Sequence, residues 1–194
     1  TPTFVMADLL AGVVETAVTD QLRAIPYNPV TTVNMAFNRS DIENPFDGFG
    51  VVVPESETSQ LLAVEGMSAK FPHRAPDDQF VLRAFVGGQK QPELADLPEA
   101  ELISLVRQEL TSIFGITAEP TQIHIQRWLP ANPQPPVGHL AMIAEVERKL
   151  AKQLPQLYLT GAGLRGQGIP DCIRQSRNLV EQIMTDLQPV AALS

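Results

Sequence analysis

With 194 residues, 44% of them hydrophobic and 19% charged, the chain has the make-up of a globular domain with a real core. A net charge of -8 argues against a nucleic-acid partner, which is bound through clustered Lys and Arg. The single cysteine, Cys172, excludes an internal disulfide and a multi-cysteine zinc site.

Residues 4–23 are expected to form one helix, with Leu9, Val13, Ala17 and Leu22 in an apolar stripe that Pro26 and Pro29 stop. From Val30 to Asn38 the alternation of Val33, Met35 and Phe37 with Thr32, Asn34 and Ala36 predicts a strand. Asn44 to Gly50 reads as turns, and Val51–Val53 as a short strand. Leu61–Ala69 and Phe80–Val86 are further strands, joined by an irregular loop at Phe71–Pro76. Gly87 and Gly88 end the second of these. A helix follows in which Asp96 and Glu99 resemble a capping box around Pro98; Leu102, Val106, Leu110 and Ile113 form its stripe, and Gly115 its stop.

Ile123, Ile125 and Arg127 alternate with His124, Gln126 and Trp128 in another strand, before a proline-rich loop at Pro130–Pro136. Gly138 and His139 open a helix with a stripe of Leu140, Ile143, Leu150 and Leu154, ended by Pro155. Leu157–Thr160 reads as a short buried strand, then a glycine loop, then a helix carrying Ile173, Val180, Ile183 and Leu187. No internal repeat is visible. The expected class is α+β or α/β: a mixed sheet with covering helices over residues 1–154, then a strand, glycine loop and helix over 155–194. A lone β-α unit cannot bury itself as a parallel sheet, so this last piece is expected to complete a sheet whose other strands lie outside the chain. Threonine at position 1, where a native start shows methionine, suggests a sequence trimmed at its N-terminus.

The loop Gly161-Ala162-Gly163-Leu164-Arg165-Gly166-Gln167-Gly168 contains a literal G-x-G-x-x-G, at Gly161, Gly163 and Gly166. A dinucleotide fingerprint needs a second strand after its helix and an acidic residue closing that strand, and neither follows here. Two readings stay open. Backbone N–H groups freed by glycine, together with Pro170 in a first helical turn, suit a polar or anionic ligand. A plain strand-to-helix turn with glycines for close packing explains the same residues.

Several segments resemble the protoporphyrinogen oxidase family of amine-oxidase-like flavoproteins. They are Phe49-Gly50 with Pro54 and Glu57; Phe71-Pro72-His73-Arg74-Ala75-Pro76; Phe85-Val86-Gly87-Gly88; Trp128 with Ala131, Pro133, Gln134, Gly138 and His139; and Gly161 through Gly166, Gly168, Ile169, Pro170, Asp171, Cys172 and Ile173. The resemblance runs from about Tyr27 to Met184, with the segments in family order. Pro135 stands where the family has tyrosine, Leu164 where an aromatic is common and Ser176 where glycine is common, so the ring contacts that the tyrosine and the aromatic supply are lacking at the first two positions.

The resemblance implies FAD as cofactor. It implies that residues 1–154 belong to the substrate-binding domain and 155–194 to the end of the FAD-binding domain, whose N-terminal half is absent from this sequence. It places Trp128 near the flavin and gives Gln167, Gly168 and Ile169 backbone contacts to it. The implied reaction is oxidation of protoporphyrinogen or coproporphyrinogen by dioxygen in heme synthesis, with the chain alone inactive. The substrate's carboxylates make Arg74 and Arg83 candidate substrate-binding residues, against the commoner fate of surface ion pairs. No catalytic residue is assigned.

Trp128 also reads as a core residue, Cys172 as a packing residue and His139 as a local hydrogen-bonding group. His73, His124 and His139 have no ligand-like spacing, so no metal is expected, and no Ser-His-Asp set supports hydrolysis. A cytoplasmic location is expected, since no apolar run reaches the roughly 20 residues of a spanning helix. Peripheral membrane association and a homodimer remain open. So do another amine-oxidase-like oxidoreductase and a non-catalytic domain derived from one.

Overall fold

The computed structural model describes residues 1–42 and 48–187. The chain packs as two compact units, Thr1–Tyr27 with Pro133–Ser194, and Asn28–Asn132. This division by packing differs in kind from the functional boundary expected at 154/155, which it neither moves nor fixes.

The second unit is built on a five-stranded sheet of order β2-β3-β4-β1-β5. Its strands are β1 (Tyr27–Asn38), β2 (Gly50–Val52), β3 (Leu61–Gly66), β4 (Gln79–Gly87) and β5 (Gln122–Pro133). The pairs β2–β3, β3–β4 and β4–β1 are all antiparallel. This corrects the expected mixed sheet: the connection from β2 to β3, residues 53–60, is too short to carry the crossover that parallel strands require, and β4 adds antiparallel to both β3 and β1.

Strand period two decides which side chains enter the core. In β4, Phe80, Leu82, Ala84 and Val86 are buried, and the register sets Phe80 against Phe37 and Leu82 against Met35. Onto that face packs the helix α4 (Glu99–Phe114), through Leu102, Leu105, Val106 and Leu110. Helix α3 is a single turn, Met67–Lys70. The expected strand at 61–69 therefore stops at Gly66. Phe71–Pro76, expected as irregular, contains a 3-10 turn at Pro72–Arg74.

Helix α4 ends as expected, on Gly115 at φ 68°, whose N–H donates to the Thr111 carbonyl at 2.9 Å while the Ile116 N–H donates to the Leu110 carbonyl at 3.4 Å. Its start differs. Pro98 is the cap, no side chain caps the turn, and Asp96 closes a 3-10 turn at Pro92–Asp96. Strand β5 continues to Pro133, past the expected loop start at Pro130. At the outer position of the sheet, its prolines remove no ladder bond that a central strand would need. Of the stretch expected as turns, residues 44–47 lie outside the described residues.

In the first unit the expected helix at 4–23 is two helices, α1 (Thr3–Leu10) and α2 (Thr16–Arg23). Gly12, at φ 78°, takes the left-handed conformation that reverses the chain. Met6, Ala7 and Leu10 then meet Val18 and Leu22 in one core, while Leu9 and Val13 of the expected stripe are exposed. Helix α5 (His139–Gln153) completes that core with Ile143, Val146 and Leu150. Leu140, expected on its inner face, points to solvent and His139 takes the buried place.

Residues 157–160, expected as a buried strand, are half-buried and form no strand. The single turn α6 (Ala162–Arg165) and the long helix α7 (Ile169–Asp186) follow.

Truncating Leu110 to Ala is expected to cost about 2–5 kcal/mol, since it opens a cavity beneath the sheet. Gly115→Ala should cost about 1–2 kcal/mol from backbone strain alone, because a Cβ there meets nothing within 4 Å. Urea unfolding followed by circular dichroism ranks the two, and a larger loss for Gly115→Ala would contradict this account.

Candidate cofactor-contact and ligand-binding surfaces

The glycine loop lies in the first unit; it contains the single turn α6 and runs to the start of α7. Gly163 is a packing glycine: a Cβ there would come within 2.6 Å of both Thr3 Cγ2 and Tyr27 Oη. That tyrosine hydroxyl also accepts from the Thr3 N–H at 3.0 Å, which ties the start of α1 to Tyr27. The close-packing reading therefore holds at Gly163. His139 is the local hydrogen-bonding residue expected, its Nε2 at 2.8 Å from the Leu164 carbonyl. That bond fixes Nε2 as the protonated nitrogen, leaving Nδ1 buried without a partner among the described residues.

The other end of the loop is built differently. The Gln167 side chain donates to the Pro133 carbonyl at 2.6 Å, and the Gly166 carbonyl accepts from Gln175 Nε2 at 3.2 Å. Pinned at these two points, Gln167, Gly168 and Ile169 stand exposed. Pro170 occupies the first turn of α7, so the exposed backbone sits at the positive end of an 18-residue helix. The Asp171 carboxylate lies against Gly168, with Oδ2 3.2 Å from where a Cβ would stand, and it pairs with Arg174. Donors and an acceptor thus share one exposed edge, which suits a hydroxylated or heterocyclic group better than a phosphate. The residues present fit a flavin cofactor of that description.

Helix α7 has no buried residue. Ile169, Ile173, Val180, Met184 and Leu187 all face solvent, although the helix is strongly amphipathic. Cys172 is half-buried, its Sγ 3.8 Å from the Gly166 carbonyl, as befits a packing residue. Tyr158 donates to Asp186 Oδ2 at 2.6 Å and so ties the segment 157–160 to the end of α7.

Trp128, Arg74 and Arg83 lie in the second unit. On β5, Ile125 packs into the core, and Arg127 donates to the carbonyls of Ala95 (2.9 Å) and Leu97 (2.8 Å) on the core side. Alternation turns Trp128 to the opposite face, where it is 54% exposed, so the core reading of this tryptophan fails. Arg74 lies over the Phe71 ring, 4.5 Å from its centroid, and is exposed. Arg83 is half-buried on the open face of the sheet, and its Nε donates to Asn34 Oδ1 at 2.8 Å. The structure therefore groups Gln167, Gly168 and Ile169 in one loop, while the other three occupy separate places in their own unit.

Asn34 was legible only as a strand residue. Its partnership depends on a register between β1 and β4, strands separated by some 40 residues, that alternation alone does not reveal. Among the described residues, no three of His, Cys, Asp and Glu are placed to hold a metal ion. Nor is any helix among them long and apolar enough to cross a membrane.

Residues 5–184 match the model of the "Flavin containing amine oxidoreductase" family. The chain belongs to that family. FAD is therefore its cofactor. Among curated relatives of the flavin amine oxidoreductases, the coproporphyrinogen III oxidase of Bacillus subtilis is 33% identical over 81% of this chain and 34% of its own length. The mitochondrial protoporphyrinogen oxidase of Nicotiana tabacum is 30% identical over 86% of this chain and 34% of its own length. A crystal structure from Exiguobacterium sp. 255-15, provisionally assigned as a protoporphyrinogen oxidase, superposes with a TM-score of 0.81 at 31% identity. It covers 96% of this chain and 40% of that one. The chain thus spans about a third of the length of the curated relatives it matches.

Two outcomes check the local chemistry. Gly163→Ala should destabilise the first unit by about 1–3 kcal/mol, as overpacking does, and thermal unfolding reads that loss. The hydrogen bond to Asp186 raises the Tyr158 pKa above its ordinary 10.0, with partial burial and the negative charge of Asp186 acting the same way. The raised folded-state pKa makes the tether fully present below the unfolded pKa and lost as pH rises through the folded one. In a Tyr27→Phe background, Asp186→Asn should lower the midpoint of tyrosinate absorbance; an unmoved midpoint contradicts the bond.

Proposed function

We propose that this chain is the C-terminal part of an FAD-dependent oxidase that converts a porphyrinogen, protoporphyrinogen or coproporphyrinogen, to the porphyrin with dioxygen as acceptor, within heme synthesis. One observation carries the reading most directly. The chain aligns along most of its length with relatives named as oxidases of these two substrates, at 30–33% identity. The loop geometry supports it, because the backbone at Gln167, Gly168 and Ile169 is free to receive a cofactor edge. The uncovered face of α7 and the unpaired stretch at 157–160 support a partner segment, the N-terminal half of the FAD domain, that covers them both.

In this reading FAD, when bound, supplies repeated two-electron oxidation, with dioxygen reduced to hydrogen peroxide. Gln167 holds the loop to the Pro133 carbonyl so that the backbone of Gly168 and Ile169 meets the cofactor at a fixed height. Trp128 contributes a flat apolar wall near the flavin. The open sheet face offers an apolar floor to a flat substrate and keeps water from it. The absence of an acid–base pair among the assigned residues follows from the division of labour: the protein orients and dries, and the cofactor oxidises.

Another amine-oxidase-like oxidoreductase is the alternative within the family, and a non-catalytic derivative the alternative outside enzymes. The full-length gene product settles among the three when given coproporphyrinogen, protoporphyrinogen and primary amines in air. Porphyrin fluorescence appearing with oxygen uptake is the expected result. Oxygen uptake with amines alone, or with nothing, overturns it. Purified residues 1–194 are expected to retain little FAD and turn nothing over; a yellow protein with one flavin per chain would contradict the need for a partner segment. Membrane flotation and sedimentation of the full-length protein test peripheral association and a homodimer, and a soluble cytoplasmic enzyme is the expected baseline.

A further inference from the structure

We propose that Arg83, aimed by Asn34, is the carboxylate receptor of the open sheet face, and that Arg74 is not. The proposal rests on the porphyrinogen reading in taking the carboxylate to be an acidic arm of a flat tetrapyrrole.

Most guanidinium groups in the described chain are already engaged. Arg23, Arg107, Arg148, Arg165 and Arg174 pair with carboxylates. Arg39 and Arg127 are held by backbone carbonyls, Arg74 lies on the Phe71 ring, and Arg177 stands exposed on α7, where water offsets the cost of its charge. Arg83 differs. It is half-buried, and its hydrogen-bond partner among the described residues is the neutral amide oxygen of Asn34, reached through Nε. The two terminal NH2 groups of its fork remain for a ligand.

A partly buried cation with no ion-pair partner among the described residues is costly to keep, and an acid that could neutralise it lies alongside. Glu65 of β3 stands directly opposite Arg83 of β4. Its carboxylate is engaged by Lys70 instead, with Nζ to Oε1 at 2.7 Å. The sheet thus holds an acid next to Arg83 and diverts it. What is left is a guanidinium whose counter-charge comes from a ligand, and guanidinium grips a carboxylate through two parallel bonds.

Asn34 fixes the aim. It stands opposite Arg83 on the other side, in β1, and both ends of its amide are used: Oδ1 accepts from Arg83, and Nδ2 donates to the His124 carbonyl at 3.3 Å. The amide cannot flip without losing both bonds, so the fork is held before a ligand arrives. Around it on the same face lie Ala36, Ala63, Val81 and Phe85, an apolar floor set by register. One directed cation on such a floor fits a flat apolar ring bearing carboxylates.

The test uses the FAD-loaded full-length protein and two probes with the same ring: coproporphyrin III, a tetra-acid, and its uncharged tetramethyl ester. Arg83→Met is expected to raise the Kd for the acid about 10-fold, the loss of one charge-assisted pair, and to leave the ester unchanged. Asn34→Asp, close in shape, supplies an internal carboxylate that neutralises the fork, and it should weaken acid binding in the same selective way. Arg83→Lys should restore only part of the affinity, because a point charge lacks the fork. As a positioning residue, Asn34 should show its effect in KM and not kcat when Asn34→Ala turns over coproporphyrinogen, and Arg74→Met should change neither Kd. Equal affinity of wild type and Arg83→Met for the acid, or an equal loss for acid and ester, overturns the receptor and leaves the porphyrinogen reading standing. A wild-type protein that binds neither porphyrin overturns both.

Discussion

The alternation of β4 is the constraint on which the second unit depends. Every second residue of Gln79–Gly87 enters the core against β1 and α4, and the intervening ones are thereby committed to the other face. A shift of one residue would bury Arg83 and expose Leu82 and Ala84, which the apolar cluster forbids. The position of Arg83 on the open face is therefore a by-product of core formation. The same logic, run along β5, sends Ile125 inward and leaves Trp128 outside.

The first unit obeys a different rule. Its core is filled by helices that meet because Gly12 reverses the chain and Gly163 lets Thr3 and Tyr27 come close. That core accounts for α1, α2 and α5 but not for α7, none of whose residues is buried. Amphipathic helices owe most of their stability to packing. For α7 the described residues supply a tether at Tyr158 and the pinned loop ahead of it, and none of them covers its apolar side.

Sheet strands, the helix at 99–114 and its glycine stop were legible because periodicity and a left-handed terminator are local signals. The sequence misled where tertiary packing chose between local options. One apolar stripe across 4–23 looked continuous because Gly12 is tolerated inside a helical pattern, yet here it ends the helix. The stripe of α5 was assigned to Leu140, but the Leu164 carbonyl draws His139 inward instead. The strand expected at 157–160 had the right composition, but a strand is defined by a neighbour, and composition is silent about neighbours. In the candidate sites, the glycines and Trp128 were recognisable by type, whereas Asn34 gains its meaning only from cross-strand register.

The ion pair between Lys70 and Glu65 has a reach beyond its own two residues. Its Lys70 end stands exposed on a one-turn helix, where sequence drift is ordinarily harmless, while Glu65 is half-buried on β3. Yet loss of the Lys70 charge, by mutation or by acylation of its amine, would hand Glu65 to the arginine across the ladder and silence that arginine without altering it. A variant of this kind would keep its fold and its flavin and present as an unexplained fall in ligand affinity, traceable only by following the displaced negative charge from one strand to the next.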